Sequence, residues 1–122
     1  MRTPRAGIVV AVSSSNLPVA EAVPLAELTT LRLGGPARRL VPVASEAELV
    51  EAVRALDAAG EPLLVLAGGS NVVIADGGFD GTVVHVRTRG VRRAGRLLEV
   101  AAGEPWDDVV AGAVADGLAG IE

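Results

Sequence analysis

The residues best suited to chemistry in this 122-residue chain lie in one short run, Leu66-Ala67-Gly68-Gly69-Ser70-Asn71-Val72-Val73-Ile74. A glycine pair at the carboxyl end of an apolar segment lets the backbone turn through positive φ, so successive amides can aim into one concavity. Such a nest holds an anion without any charged side chain. Ser70 and Asn71 add a hydroxyl and a carboxamide that can donate to phosphate oxygens. Gly-Gly-Ser-Asn alone is also an ordinary turn. It is not the G-x-G-x-x-G fingerprint that opens a dinucleotide-binding helix, because the extended pattern Val72-Val73-Ile74 follows it. An anion loop between two extended segments favours a flavin fold over a nicotinamide one.

Missing residue types narrow the chemistry further. All 11 basic residues are arginine, so no lysine is available as a phosphate clamp, Schiff base or general base. Without cysteine there is no disulfide, thiolate nucleophile or sulfur-ligated metal, and the single histidine, His85, cannot build a histidine metal site. No metal is expected. A formal net charge of −4 supplies no basic footprint for nucleic acid. Arginines cluster at Arg38–Arg39 and at Arg87, Arg89, Arg92, Arg93 and Arg96, which reads as a solvated, partly paired surface. No apolar run approaches the roughly 18–20 residues that span a bilayer. The start, with Arg2, Arg5 and the apolar Ala6–Val12, is followed by Ser13-Ser-Ser-Asn16 and lacks a cleavage site, so a cytoplasmic protein is expected.

The elements that must position the loop are legible from pattern. Residues 1–24 contain Pro4, Pro18 and Pro24 with no sustained period and read as a flexible leader. Leu40–Val43 reads as a short strand. Ser45-Glu46-Ala47-Glu48 is a capping box that opens a helix with Leu49, Val53 and Leu56 on one stripe. Gly60 stops that helix and Pro62 prevents its resumption. Leu63–Leu66, apolar on both faces, reads as a buried parallel strand. Residues 40–67 thus form a β-α-β unit with the glycine loop at the carboxyl end of its second strand, where ligands gather in parallel sheets. Thr82–Arg87 and Leu97–Ala101 are further strands, joined through Gly90 and Gly95. Pro105 sits as a first helical residue, and Val109, Val110, Ala113 and Val114 pattern a second helix.

Other tempting residues have plain structural explanations. His85 alternates with apolar neighbours and reads as a packed or surface strand residue. Trp106 reads as a core anchor. Asp107 and Asp108 suit a helix N-terminus, and Asp76 and Asp80 suit turns beside glycine.

Four segments, in order, resemble UDP-N-acetylenolpyruvoylglucosamine reductases. Leu28-Thr-Thr-Leu-Arg-Leu-Gly-Gly35 is similar to the family's first motif, and Leu66–Ile74 to its phosphate loop. Phe79-Asp-Gly-Thr-Val-Val84 is similar to the aspartate–glycine turn and strand that follow. Ala102–Asp108 through Gly117–Glu122 is similar to the helix and turn before the second flavin segment. The resemblance covers roughly residues 28–122. It implies an α+β fold, the FAD-binding domain named after vanillyl-alcohol oxidase and p-cresol methylhydroxylase. In that fold a small β-α-β subdomain is followed by the start of a second β-rich subdomain, here truncated. Residues 25–122 would be its N-terminal part. By this resemblance the FAD pyrophosphate is held by Ala67, Gly68, Gly69, Ser70 and Asn71, with Ala67 standing where the family often has glycine. It also implies NADPH as hydride donor and a nucleotide-sugar substrate. No catalytic residue is expected here: the family's serine acid and its assisting arginine and glutamate would lie beyond Glu122. Two other readings stay open, a different FAD-dependent oxidase of the same fold and a non-catalytic nucleotide-binding module.

Overall fold

The computed structural model describes residues 17–121, so most of the expected leader, residues 1–16, lies outside the described residues. Strands β1 (Ala20–Pro24), β2 (Pro36–Val43), β3 (Leu63–Leu66) and β4 (Phe79–Val86) form one sheet in the order β1-β2-β4-β3. Strand β1 runs antiparallel to β2, and β4 is parallel to both of its neighbours. Helix α1 (Glu46–Ala58) connects β2 to β3, and a 3-10 turn (Leu25–Leu28) follows β1. A separate hairpin of β5 (Val91–Ala94) and β6 (Leu97–Val100) precedes helix α2 (Trp106–Ala115).

Three expectations are corrected by this arrangement. Ala20–Pro24, assigned to the leader, is a strand paired with β2. Pro24 at its end and Pro18 just before it hid it, yet an edge strand tolerates proline because half of its amides face outward. The β-α-β unit exists, but β4 lies between its two strands. That leaves β3 at the sheet edge with Val65 50% exposed, so β3 is not buried on both faces. Strand β5 was not anticipated because Val91-Arg-Arg-Ala94 is exposed along its whole length and carries no apolar alternation.

Helix α1 has the ends expected of it. The Glu48 amide donates to Ser45 Oγ at 3.2 Å, while Glu48 Oε2 accepts from the amides of Ser45 at 3.2 Å and Ala44 at 2.6 Å. At the other end Gly60 takes φ +61°, and Gly60 and Glu61 donate back to the carbonyls of Asp57 and Leu56. Those two bonds satisfy last-turn carbonyls that would otherwise lack partners.

Each face of the sheet carries its own core, as the two-residue period of a strand requires. Val41, Val43, Val84 and Val86 meet Ala52 and Leu56 of α1 on one face. Leu40, Leu66 and Val83 meet Leu25 and Ile74 on the other, beneath the 3-10 turn and the glycine-loop segment. Beside the amino end of β3, the Glu61 carboxylate accepts from Arg38 at 2.6 Å, Arg39 at 2.8 Å and Thr82 Oγ1 at 3.2 Å, which ties β2, β3 and β4 together. Burial works against ionisation of Glu61, but the Arg39 hydrogen bond and both arginine charges prevail and hold its pKa below the usual value.

Helix α2 corrects two further readings. Pro105 is the N-cap, with ψ at 124°, and not the first helical residue. Trp106 is 59% exposed and does not anchor the core. Val109 and Ala113 take the buried positions, and Trp106 lies beyond them at the helix's first residue.

Candidate functional site

Strand β3 delivers the chain to Ala67, and the loop then folds against the Leu28–Thr30 backbone. Gly69 is the contact point. It is buried with φ +66°, and a Cβ there would stand 2.0 Å from the Leu28 carbonyl oxygen. The Gly69 carbonyl in turn accepts from the Thr30 amide at 3.0 Å. Glycine is therefore required at Gly69 twice over, by conformation and by space.

Gly68 has the opposite character. It is exposed, and a Cβ added there would meet nothing within 4 Å. Ser70 and Asn71 are exposed and Ala67 is half-buried. Among the described residues the amides of Gly68, Gly69, Ser70 and Asn71 donate to no protein acceptor. A buried amide is nearly always paired, so the free Gly69 amide is the unusual one. The exposed amides of Gly68, Ser70 and Asn71 beside it add donors that an acceptor-rich ligand could meet in place of water. Ala67 needs no left-handed backbone, since the only non-glycine residues with positive φ among those described are Ala22 and Arg32. The five residues named from sequence thus form one continuous loop, with Gly69 buried against Leu28 and Gly68, Ser70 and Asn71 at the surface.

The loop borders a cleft of about 430 Å³. Leu28, Thr29, Thr30 and Arg32 line it together with Ala67, Gly68, His85 and Glu27. Sequence reasoning did not name Thr29, Arg32 or His85 for this site. They sit in the first motif and on β4, and only the sheet order brings them to the loop. His85 pairs with Leu66 across the β3–β4 ladder, and its ring hydrogen-bonds to the Ala67 backbone. Burial first, then the Arg87 charge, push its pKa below the ordinary 6.5, and the bond to Ala67 only partly offsets this. His85 is thus largely neutral at neutral pH.

The residues present fit a diphosphate. The cleft offers the Gly68 amide, the Thr30 hydroxyl and one arginine beside the Glu27 carboxylate. The adjoining loop adds the Ser70 hydroxyl and the Asn71 carboxamide, and a Cβ added at Gly68 would meet nothing within 4 Å. FAD carries such a group.

Comparison with known proteins bears directly on that point. A family model described as an FAD binding domain matches residues 37–121. The chain belongs to the FAD-binding domain family. It is 59% identical over 99 residues to the UDP-N-acetylenolpyruvoylglucosamine reductase of Streptomyces coelicolor, covering 81% of this chain and 26% of that protein. The reductase of Nocardia farcinica is 54% identical over 110 residues, covering 90% of this chain and 28% of its own length. Among solved structures, the UDP-N-acetylenolpyruvylglucosamine reductase of Thermus caldophilus matches with a TM-score of 0.60 at 30% identity, covering 86% of this chain and 36% of that one. The chain therefore spans 26 to 36% of the length of these relatives. The matched part includes both the glycine loop and the mixed sheet that presents it, so the α+β FAD-binding fold expected from the four motifs holds.

No helix among the described residues is long and apolar enough to cross a membrane. The arginine clusters are largely paired. Besides the Glu61 pairs, Arg92 meets Glu99 at 2.6 Å, Arg93 meets Asp116 at 3.2 Å and Arg89 meets Glu104 at 3.6 Å.

Proposed function

We propose that this chain supplies the FAD diphosphate site of a cytoplasmic, NADPH-dependent reductase. That enzyme would convert UDP-N-acetylglucosamine enolpyruvate to UDP-N-acetylmuramate for peptidoglycan synthesis. The observation that carries the reading is the 59% identity to a UDP-N-acetylenolpyruvoylglucosamine reductase across the segment that contains the loop. The row of unpaired amides from Gly68 to Asn71 supports it independently.

FAD, when bound, would supply the hydride relay from NADPH to the enolpyruvyl double bond. The residues of this chain would hold the cofactor in place. The amides of Ala67, Gly68, Gly69, Ser70 and Asn71 would meet the diphosphate oxygens, Ser70 and Asn71 would add side-chain donors, and Gly68 would leave room for the phosphate to approach. The Thr30–Gly69 hydrogen bond and the close packing of Gly69 on Leu28 would keep the nest preformed, so little ordering cost falls on binding. Neutral His85 would brace Ala67 without adding charge. No proton-transfer role is assigned to any described residue.

The test is NADPH oxidation by the FAD-loaded protein, followed by absorbance with and without the enolpyruvyl nucleotide sugar. Oxidation that depends on that substrate and yields the lactyl ether product is expected. FAD binding with turnover of an alcohol or hydroxy acid instead would transfer the chain to a different oxidoreductase of the same fold.

A further inference from the structure

Arg32 has an unusual backbone for its residue type. Its φ is +56°, a left-handed conformation that glycine or asparagine adopts more cheaply. The conformation is held from both sides by Thr29, which is only 4% exposed. The Arg32 amide donates to the Thr29 carbonyl at 3.2 Å, and Thr29 Oγ1 donates to the Leu33 carbonyl at 2.9 Å. The next residue along the same turn, Thr30, is bonded to Gly69 of the glycine loop. Arginine is thus fixed in a disfavoured backbone state, on a turn clamped to the loop and lining the same cleft as Gly68.

Its charge is also unspent. Arg38, Arg39, Arg89, Arg92 and Arg93 all have acidic partners, whereas Arg32, like Arg54, Arg87 and Arg96, makes no ion pair among the described residues, and of these four it alone lines the cleft. Glu27 shares the cleft but lies outside ion-pair distance of it. A diphosphate diester brings two negative charges, and the nest of amides offers none to balance them. Strain held by surrounding hydrogen bonds is characteristic of functional positions, where it pre-places a group.

We propose that Arg32 is a diphosphate-binding residue of the FAD site, its guanidinium supplying the positive charge that the amide loop lacks. The inference rests on the FAD reading above and adds a side chain to it. A guanidinium also matches paired phosphate oxygens with its planar fork of donors.

Two variants test it. Arg32→Gly removes the charge and relaxes the backbone; Arg32→Gln removes the charge but keeps the strain. FAD affinity of the protein is measured by flavin fluorescence at low and high salt, beside riboflavin, which has the ring system but no phosphate. Melting temperature is recorded without cofactor. Both variants should lose roughly 10- to 100-fold in FAD affinity, the scale of a hydrogen bond to a charged group. Both should leave riboflavin binding unaltered and show a flatter salt dependence than the parent. Arg32→Gly should melt no lower than the parent. FAD binding by both variants at the parent's affinity overturns the inference and leaves the FAD reading standing. Equal losses for FAD and riboflavin also overturn it, since the phosphates would then not be the target. Failure of the parent itself to bind FAD removes both.

Discussion

Gly68 and Gly69 are adjacent and chemically identical, yet the structure gives them separable roles. Gly69→Val would force a β-branched residue to φ +66° and drive its Cβ to within 2.0 Å of the Leu28 carbonyl oxygen. The left-handed backbone alone costs about 1–2 kcal/mol for an L-residue, and overpacking adds about 1–3 kcal/mol. The sum, about 2–5 kcal/mol, corresponds to a melting-temperature drop on the order of 10 °C or more for a domain of this size. A Cβ added at Gly68 meets nothing within 4 Å, so the effect of Gly68→Val on the melting temperature in the absence of cofactor should be slight. The added side chain would instead stand where a diphosphate must approach, and FAD affinity should fall at least about tenfold, because several amide contacts are obstructed together. Ser70→Ala is the control, losing one neutral hydrogen bond and about 0.5–1.5 kcal/mol of binding. Differential scanning fluorimetry without flavin and fluorescence titration with FAD separate the two readouts. The reasoning fails if Gly68→Val binds FAD like the parent, or if its melting temperature falls as far as that of Gly69→Val.

Ser45→Ala should cost roughly 0.5–2 kcal/mol in denaturant unfolding, because both halves of the capping box are formed. FAD affinity under folding conditions should hardly change, since Ser45 does not line the glycine-loop cleft. Glu61→Gln should lower stability at neutral pH by about 1–3 kcal/mol, the range for hydrogen bonds to charged groups. Glu61 has a depressed pKa, so its contribution is present above the ordinary 4.5 and lost as the pH falls through its lower folded value. Urea midpoints of parent and variant should therefore converge in acid, and a constant gap would refute the assignment. His85 is likewise depressed below 6.5, so the parent should lose stability as the pH falls from 6.5 through the folded value. His85→Gln should flatten that slope, and an unchanged slope would place the titration elsewhere.

Local signals were readable wherever a residue's role is set by its near neighbours. The capping box at Ser45–Glu48, the stop at Gly60 and the turn at Gly68–Gly69 each follow from short-range hydrogen bonding and backbone sterics. Their positions in the structure agree with the expectations. What escaped was set by pairing at long range. Nothing in Leu63–Leu66 says that β4, which follows it in the chain, will pair between β2 and β3, so the edge position of β3 was hidden. Ala20–Pro24 looked unstructured because Pro18 and Pro24 are compatible with a strand only once its place at the sheet edge is known. Trp106 looked like core on residue type, but the helix buries Val109 and Ala113.

The candidate site divides in the same way. Ala67–Asn71 are contiguous, so their glycines announce a turn with backbone donors at the surface. Thr29, Arg32 and His85 reach it through the Thr30–Gly69 bond and the Leu66–His85 register, and neither is encoded in a local pattern. Ordinary residue counts gave Arg32 no distinction among 11 arginines; its left-handed backbone does.

The most direct measurement is a crystal structure of the protein grown with FAD. The account predicts diphosphate oxygens within about 3 Å of the amide nitrogens of the loop from Gly68 to Asn71, with Gly69 unmoved against Leu28. FAD seated elsewhere, with those amides facing solvent, would contradict it.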